Sequence, residues 1–231
     1  SQCENNIAEK MKHINREGSW ELVRYGLYGT WEIYKGIRIS PDNDYYSFLM
    51  SQIAEDGVTT VATAYAFARL GSTDDRSVKT AYFDVLEYTG IDNRYYSNPK
   101  LKKFYMWLFS LGITPFHSRT LIGDTSPSWE RMSGHAAFLH ALNVNPDCGP
   151  YLTWYLDDTL PNGNILSYII PDKPLPKTER VPTSQVYRDG GGWFREPADD
   201  PLALMGVLYN IDGEAHWHTH KQTNGIFLAG Y

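Results

Sequence analysis

Apolar residues recur at three- and four-residue spacing from residue 5 to about residue 160, in segments separated by Gly, Pro, Asp and Asn. The spacing predicts helices over 5–16, 19–34, 44–54, 60–70, 74–88, 99–111, 128–142 and 146–159. Several boundaries carry their own signals. Ser40 and Pro41 precede one helix, and Asn98 before Pro99 supplies a cap followed by a proline at the first helical position. Gly90 is placed to close another helix in the left-handed conformation. Short connections imply consecutive antiparallel helices.

Past Pro161 the period changes. Residues 171–182 form a proline-rich stretch too stiff for helix or strand. Short β-like runs then follow at 184–187, 192–195, 203–209 and 225–231, with turn residues at Asp189-Gly-Gly-Gly192 and Asp212-Gly213. The expected organisation is an α+β chain with a helical domain over 1–165, a linker over 166–182, and the first strands of a β-domain over 183–231. Four strands alone make a poor free-standing sheet. An open edge at 225–231 leads us to expect pairing with another segment or another chain.

Composition narrows the function classes. The 231 residues are 42% hydrophobic and 14% aromatic, enough to bury a substantial core. A net charge of −6 argues against a nucleic-acid binder built on non-specific phosphate contacts, so a polyanionic partner would have to be met by local basic clusters. No apolar run is long enough for a membrane span, and no charged-then-apolar signal segment opens the chain. The first residue is Ser1, so the chain reads as a processed product or a fragment. Cys3 and Cys148 are too few for a disulfide framework; they either pair in an oxidising compartment or are buried thiols.

Three constellations carry candidate chemistry. His216, His218 and His220 alternate, which on a strand puts three imidazoles on one face: a metal-ligand pattern, a base beside a ligand, or an exposed His-rich strand. Asp56 and Gly57 open a helix of small residues ending in Tyr65, whose phenol suits proton transfer or, equally, helix packing. The polar loop from Pro115 to Ser126 offers His117, Arg119 and Asp124, either lining a site or forming an ordinary connection. His13, His135 and His140 fall inside predicted helices and are read as structural.

Taken in order, these pieces resemble the heparinase II/III-like polysaccharide lyases, the superfamily of heparinases and oligoalginate lyases. The resemblance runs through Asp56-Gly57 and Tyr65, Asn98-Pro-Lys-Leu101, Phe116, Gly123-Asp-Thr125 and Gly190-Gly-Gly-Trp-Phe-Arg195. It ends in His218-Thr-His220-Lys-Gln-Thr-Asn224, which is similar to the family's His-x-His-x-Asp-x-Asn strand with Gln222 in place of the Asp. It implies an incomplete α/α toroid of helical hairpins followed by the start of an antiparallel β-sandwich, completed by a further segment or another chain. It also implies a secreted or periplasmic setting.

By this resemblance Tyr65 is the catalytic acid and base, His218 its partner from the β-domain, and His220 a ligand to a structural zinc or other divalent cation. Asn5 and Asn6 match the Asn-His pair that neutralises the substrate carboxylate, with Asn6 where the family has His. Expected substrate contacts are His117, Arg119, Asp124, Trp193, Arg195, Trp217 and Lys221, the two tryptophans as platforms for sugar faces. The implied reaction is β-elimination on an acidic polysaccharide or oligosaccharide. Neutralising a uronate carboxylate stabilises the enolate-like transition state, a positioned Tyr or His removes the C5 proton, and Tyr returns one to the departing C4 oxygen. The alternatives are a uronyl C5-epimerase or a non-catalytic glycan-binding or structural relative. A glycoside hydrolase is disfavoured because no well-spaced carboxylate pair stands out.

Overall fold

A computed structural model describes residues 2–12, 34–36, 44–59, 86, 90, 94–113, 118–119, 141–142, 144–156, 176–196, 204–209 and 225–229. Its helices are α1 (Gln2–Lys12), α2 (Asp44–Ser51), α3 (Arg94–Ser97), α4 (Pro99–Ser110) and α5 (Gly149–Leu156), the last preceded by a 3-10 turn at Pro146–Cys148. The strands are β1 (Gly112–Ile113), β2 (Ser118–Arg119), β3 (Gln185–Tyr187), β4 (Gly191–Arg195), β5 (Met205–Tyr209) and β6 (Gly225–Ala229). The chain is α+β. The expected helix at 60–70, and nearly all of those at 19–34, 74–88 and 128–142, lie outside the described residues.

The helix α4 is the centre of the core, and its sequence explains why. Asn98 caps it, its Oδ1 accepting from Lys100 N at 2.8 Å while its Nδ2 donates to the Tyr46 hydroxyl at 2.6 Å. Pro99 sits in the first turn, where its missing N–H costs nothing. From Leu101 onward the helix is buried on most sides, with Phe104, Tyr105, Trp107, Leu108 and Phe109 inside. From Phe104 to Ser110 every residue but the half-buried Met106 is buried, so this part of the helix lies between other layers, while Lys102 and Lys103 stay exposed near its start.

One of those layers is the sheet. Its order is β3-β4-β5-β6, all antiparallel, and Gln185, Trp193, Val207 and Phe227 stand in one row across it. Because side chains alternate along a strand, the same face also carries Met205 and Tyr209, which are buried in a single cluster with α4. Trp193 meets Trp107 of α4 edge-to-face, ring centres 6.4 Å apart. The sheet that could not stand alone is thus stabilised by the helices. On its other face Val186, Phe194, Leu208, Ile226 and Leu228 are 42–77% exposed.

One expectation needs correction. The polar loop from Pro115 to Ser126 contributes one arm of a short hairpin, with Gly112 opposite Arg119 and Ile113 opposite Ser118. Strands of two residues carry no readable period, so the pattern could not show them. The described part of the proline-rich stretch, 176–182, is irregular, as its composition implies, and packs on α5. Arg180 N donates to Pro150 O at 3.0 Å, the Thr153 hydroxyl lies 3.0 Å from Pro176 O, and Pro182 is buried.

Candidate functional site

The turn at Asp56–Val58 joins the helices to the sheet. Asp56 uses one carboxylate oxygen to accept from Val58 N at 3.2 Å, an Asx turn, and the other to accept from Asp189 N at 2.9 Å in the β3–β4 turn. Gly57 has φ +94°, a conformation that needs glycine, and lies against the α4 backbone at Lys103 and Phe104. Gly190 packs on Val58 from the sheet side, where a Cβ would come within 2.7 Å of its side chain. The Asp-Gly pair singled out in the sequence is therefore a clasp between the two layers.

Arg195 is a second tie. Its guanidinium donates to Thr183 O at 3.2 Å and to Ser110 O at the end of α4, and its backbone N donates to the Ser184 hydroxyl at 2.8 Å. Burial lowers its pKa to about 10, so it remains charged at neutral pH. Two carbonyls thus occupy a side chain expected to meet substrate. Trp193 departs further from expectation: it is fully buried between Trp107, Tyr187 and Tyr209, and offers no face to a sugar. The alternation placed it on one face of β4, but that face is the one packed on α4.

Between these ties lies a cavity of about 470 Å³. One wall is α4 with Lys102, Met106 and Phe109, a second is Asn145–Asp147 with Tyr151, and a third is the chain entering β3 with Thr183, Gln185 and Tyr187. Asn145 braces the second wall: its Nδ2 donates to Lys102 O at 3.3 Å and its Oδ1 accepts from Asp147 N at 3.1 Å. Lys103 also lines the cavity, and its ammonium donates to Glu55 O at 2.8 Å. Asp56, singled out in the sequence, also lines the cavity; the other wall residues did not stand out, though Asn145 before Pro146 is the same cap signal that marked Asn98.

Burial tunes several groups around the cavity. It raises the Tyr187 phenol above its usual value, opposed by a hydrogen bond with Ser110 and by the charge of Arg195. It raises Tyr209 further, and pushes the Cys148 thiol up to about 12, with the Asp147 charge adding to the effect. Cys148 is buried 3.8 Å from Met106 Sδ, whereas Cys3 is exposed, and both are free thiols. A thiol reagent under native conditions should therefore modify Cys3 alone, and Cys148 only after denaturation; fast labelling of two thiols would contradict the buried placement.

Alkaline pH should weaken the same region. A phenol whose folded pKa is raised contributes stability that is complete below its unfolded value, 10.0, and is lost as the pH climbs above it. Arg195, lowered from 12.5, acts with the opposite sign and offsets part of the loss from the two tyrosines. Phenolate absorbance and near-ultraviolet circular dichroism, followed together above pH 10, should show the last tyrosines ionising as tertiary structure disappears. Their ionisation with the dichroism intact would contradict burial of Tyr187 and Tyr209.

The remaining candidates fall elsewhere. Asn5 and Asn6 are exposed on α1, where Glu4 accepts from Lys35 at 3.4 Å. Arg119 lies in β2. Tyr65, His117, Asp124, Trp217, His218, His220 and Lys221 lie outside the described residues. Among the described residues no group of three or more His, Cys, Asp or Glu is placed to hold a metal ion, and no helix is long and apolar enough to cross a membrane.

No protein-family profile and no curated protein matches the chain. Among solved structures it is similar to a mutant of heparan sulfate lyase HepC from Pedobacter heparinus, with a TM-score of 0.59 over 99% of this chain and 15% sequence identity. The fold is polysaccharide-lyase-like. The chain spans about a third of that protein's length, 33%. At this identity the likeness is one of fold, and the lyase-like arrangement puts helices before an antiparallel sheet that packs back on them.

Proposed function

We propose that the chain carries polysaccharide-lyase chemistry, cleaving a uronic-acid-containing acidic glycan by β-elimination. The observation that supports this reading most is the fold likeness to a heparan sulfate lyase along 99% of the chain. The helices would belong to an α/α toroid over 1–165, and the strands from 183 onward to a β-sandwich completed by a further segment or chain, with 166–182 between them. Tyr65 would remove the C5 proton and protonate the C4 leaving oxygen, with His218 beside it. Asn5 and Asn6 would neutralise the carboxylate, since an amide donor stabilises the enolate-like charge without adding a competing acid. His117, Arg119, Asp124, Trp217 and Lys221 would contact the glycan. His220 would hold a structural zinc or other divalent cation. A secreted or periplasmic setting suits such a substrate.

The test is ultraviolet absorbance during incubation with alginate, heparan sulfate, chondroitin and ulvan. A lyase leaves an unsaturated uronate, so absorbance should rise on at least one substrate. Tyr65→Phe should slow that rise about 100-fold, the low end of what a positioned acid–base contributes. Exchange of the C5 proton with solvent and no rise would replace the lyase with a C5-epimerase. Neither signal, from a folded chain, would overturn the reading in favour of a non-catalytic relative.

A further inference from the structure

We infer that Asp56 is a positioning residue for the proposed elimination: by gripping the β3–β4 turn, it fixes the segment that leads to Tyr65 against the end of the sheet from which the connection carrying His218 departs. The catalytic consequence rests on the lyase reading above; the spacing of the two segments does not. The strands are antiparallel and in register, so Tyr187, Gly191, Tyr209 and Gly225 form one row at a single end of the sheet. The β3–β4 turn leaves from that end, and so does the β5–β6 connection, 210–224, with His216, His218 and His220. Gly191 pairs directly with Tyr209, so the Asp189–Gly190 turn begins one strand spacing, ~5 Å, from the root of the histidine connection.

On the helical side, the chain sets out toward Tyr65 from a turn held at many points. Ile53 bridges Thr59, Ala54 N donates to Val58 O at 2.7 Å, and Gly57 N donates to Ala54 O at 3.0 Å. Lys103 Nζ donates to Glu55 O at 2.8 Å and Lys100 Nζ to Met50 O at 3.1 Å, which ties the turn and the chain before it to α4. Ile53, Val58 and Thr59 are buried. The direction in which the chain leaves at Thr59 is thus set. Tyr65 comes six residues later, within ~20 Å even at full extension. Two contacts join this exit to the sheet. Asp56 Oδ2 accepts from Asp189 N at 2.9 Å, and Gly190 packs on Val58, where an added Cβ would come within 2.7 Å of a methyl group. Proton transfer between groups from two layers needs them held to about 0.5 Å, and a fixed support under each supplies that.

Asp56→Asn is the selective variant. Its amide keeps one acceptor oxygen for the Asx turn but sets an N–H against the Asp189 N–H. Spin labels on Thr63→Cys and Thr219→Cys, in a Cys3→Ser background with the buried Cys148 unlabelled, read the geometry without reference to activity. The full chain should give one narrow interlabel distance, and Asp56→Asn should lose that peak. Gly190→Ala, which presses the sheet off Val58 and leaves the α4 contacts in place, should lose it too, and stands in if the first variant does not fold; melting temperatures check both. In the unlabelled chain, Asp56→Asn should lower kcat for unsaturated product about 10-fold with KM unchanged. A purely structural role would lower the melting temperature and leave kcat per folded molecule as it was. A broad distance distribution in the parent, or the same narrow peak in whichever variant folds, overturns the positioning role. Loss of the peak without product from the parent supports the positioning and overturns the lyase. Product with kcat unaltered in Asp56→Asn supports the lyase and overturns the positioning.

Discussion

Gly57→Ala should destabilise the chain by about 3 kcal/mol or more, although it adds a single methyl group. Two costs combine. A non-glycine residue at φ +94° is strained by ~1–3 kcal/mol wherever it stands. The added Cβ would also meet the Lys103 carbonyl carbon and come within 2.6 Å of the Lys103 carbonyl oxygen and the Phe104 nitrogen. These are backbone atoms in the interior of α4, braced by the buried Phe104, Trp107 and Leu108, so they cannot give way as a side chain would. Gly90→Ala is the control. Gly90 has φ +69° with nothing within 4 Å of its would-be Cβ, so only the backbone strain applies, about 1 kcal/mol. Urea unfolding of the two variants isolates the close approach. Equal losses would mean that the Asp56–Val58 turn does not press against α4, and the clasp to the Asp189 turn would lose its footing.

How much of this could be read from the chain differs from element to element, for a physical reason each time. The start of α4 was legible because a cap is local: Asn98 and Pro99 state it in two residues. The four strands were legible to within one or two residues because alternation and glycine turns are also local. Which face of the sheet turns inward is not a local property. Trp193 and Phe194 look alike in sequence, and only the presence of Trp107 opposite the first decides that it is buried while Phe194 is exposed. The same holds for the Asp-Gly pair. Its turn was visible, but its closeness to Lys103 and to Gly190 arises from segments far apart in the chain. The cavity was mostly hidden. Of its lining only Asp56 stood out, while Lys102, Asp147 and Gln185 carry no local signal, and only the packing of α4, α5 and β3 gathers them. The residues that carry the proposed elimination, Tyr65 and His218, come from motif resemblance alone, and their placement lies outside the described residues.

Trp193→Ala should cost about 4 kcal/mol, the largest loss expected from a truncation on the sheet side of the core. The indole is fully buried and meets Trp107, Tyr187 and Tyr209 edge-to-face at 6.4, 5.5 and 6.5 Å. Removing it leaves a cavity at the one place where β4 touches α4 through large rings. Trp193→Phe should cost far less, about 1–2 kcal/mol, because a smaller ring keeps part of the edge contacts. It also removes an Nε1–H that has no hydrogen-bond partner among the described residues, and so relieves an unpaired buried donor. Denaturant midpoints and near-ultraviolet dichroism of both variants distinguish packing from polarity. A loss below about 1 kcal/mol for Trp193→Ala would mean that the sheet is not docked on α4 by this cluster.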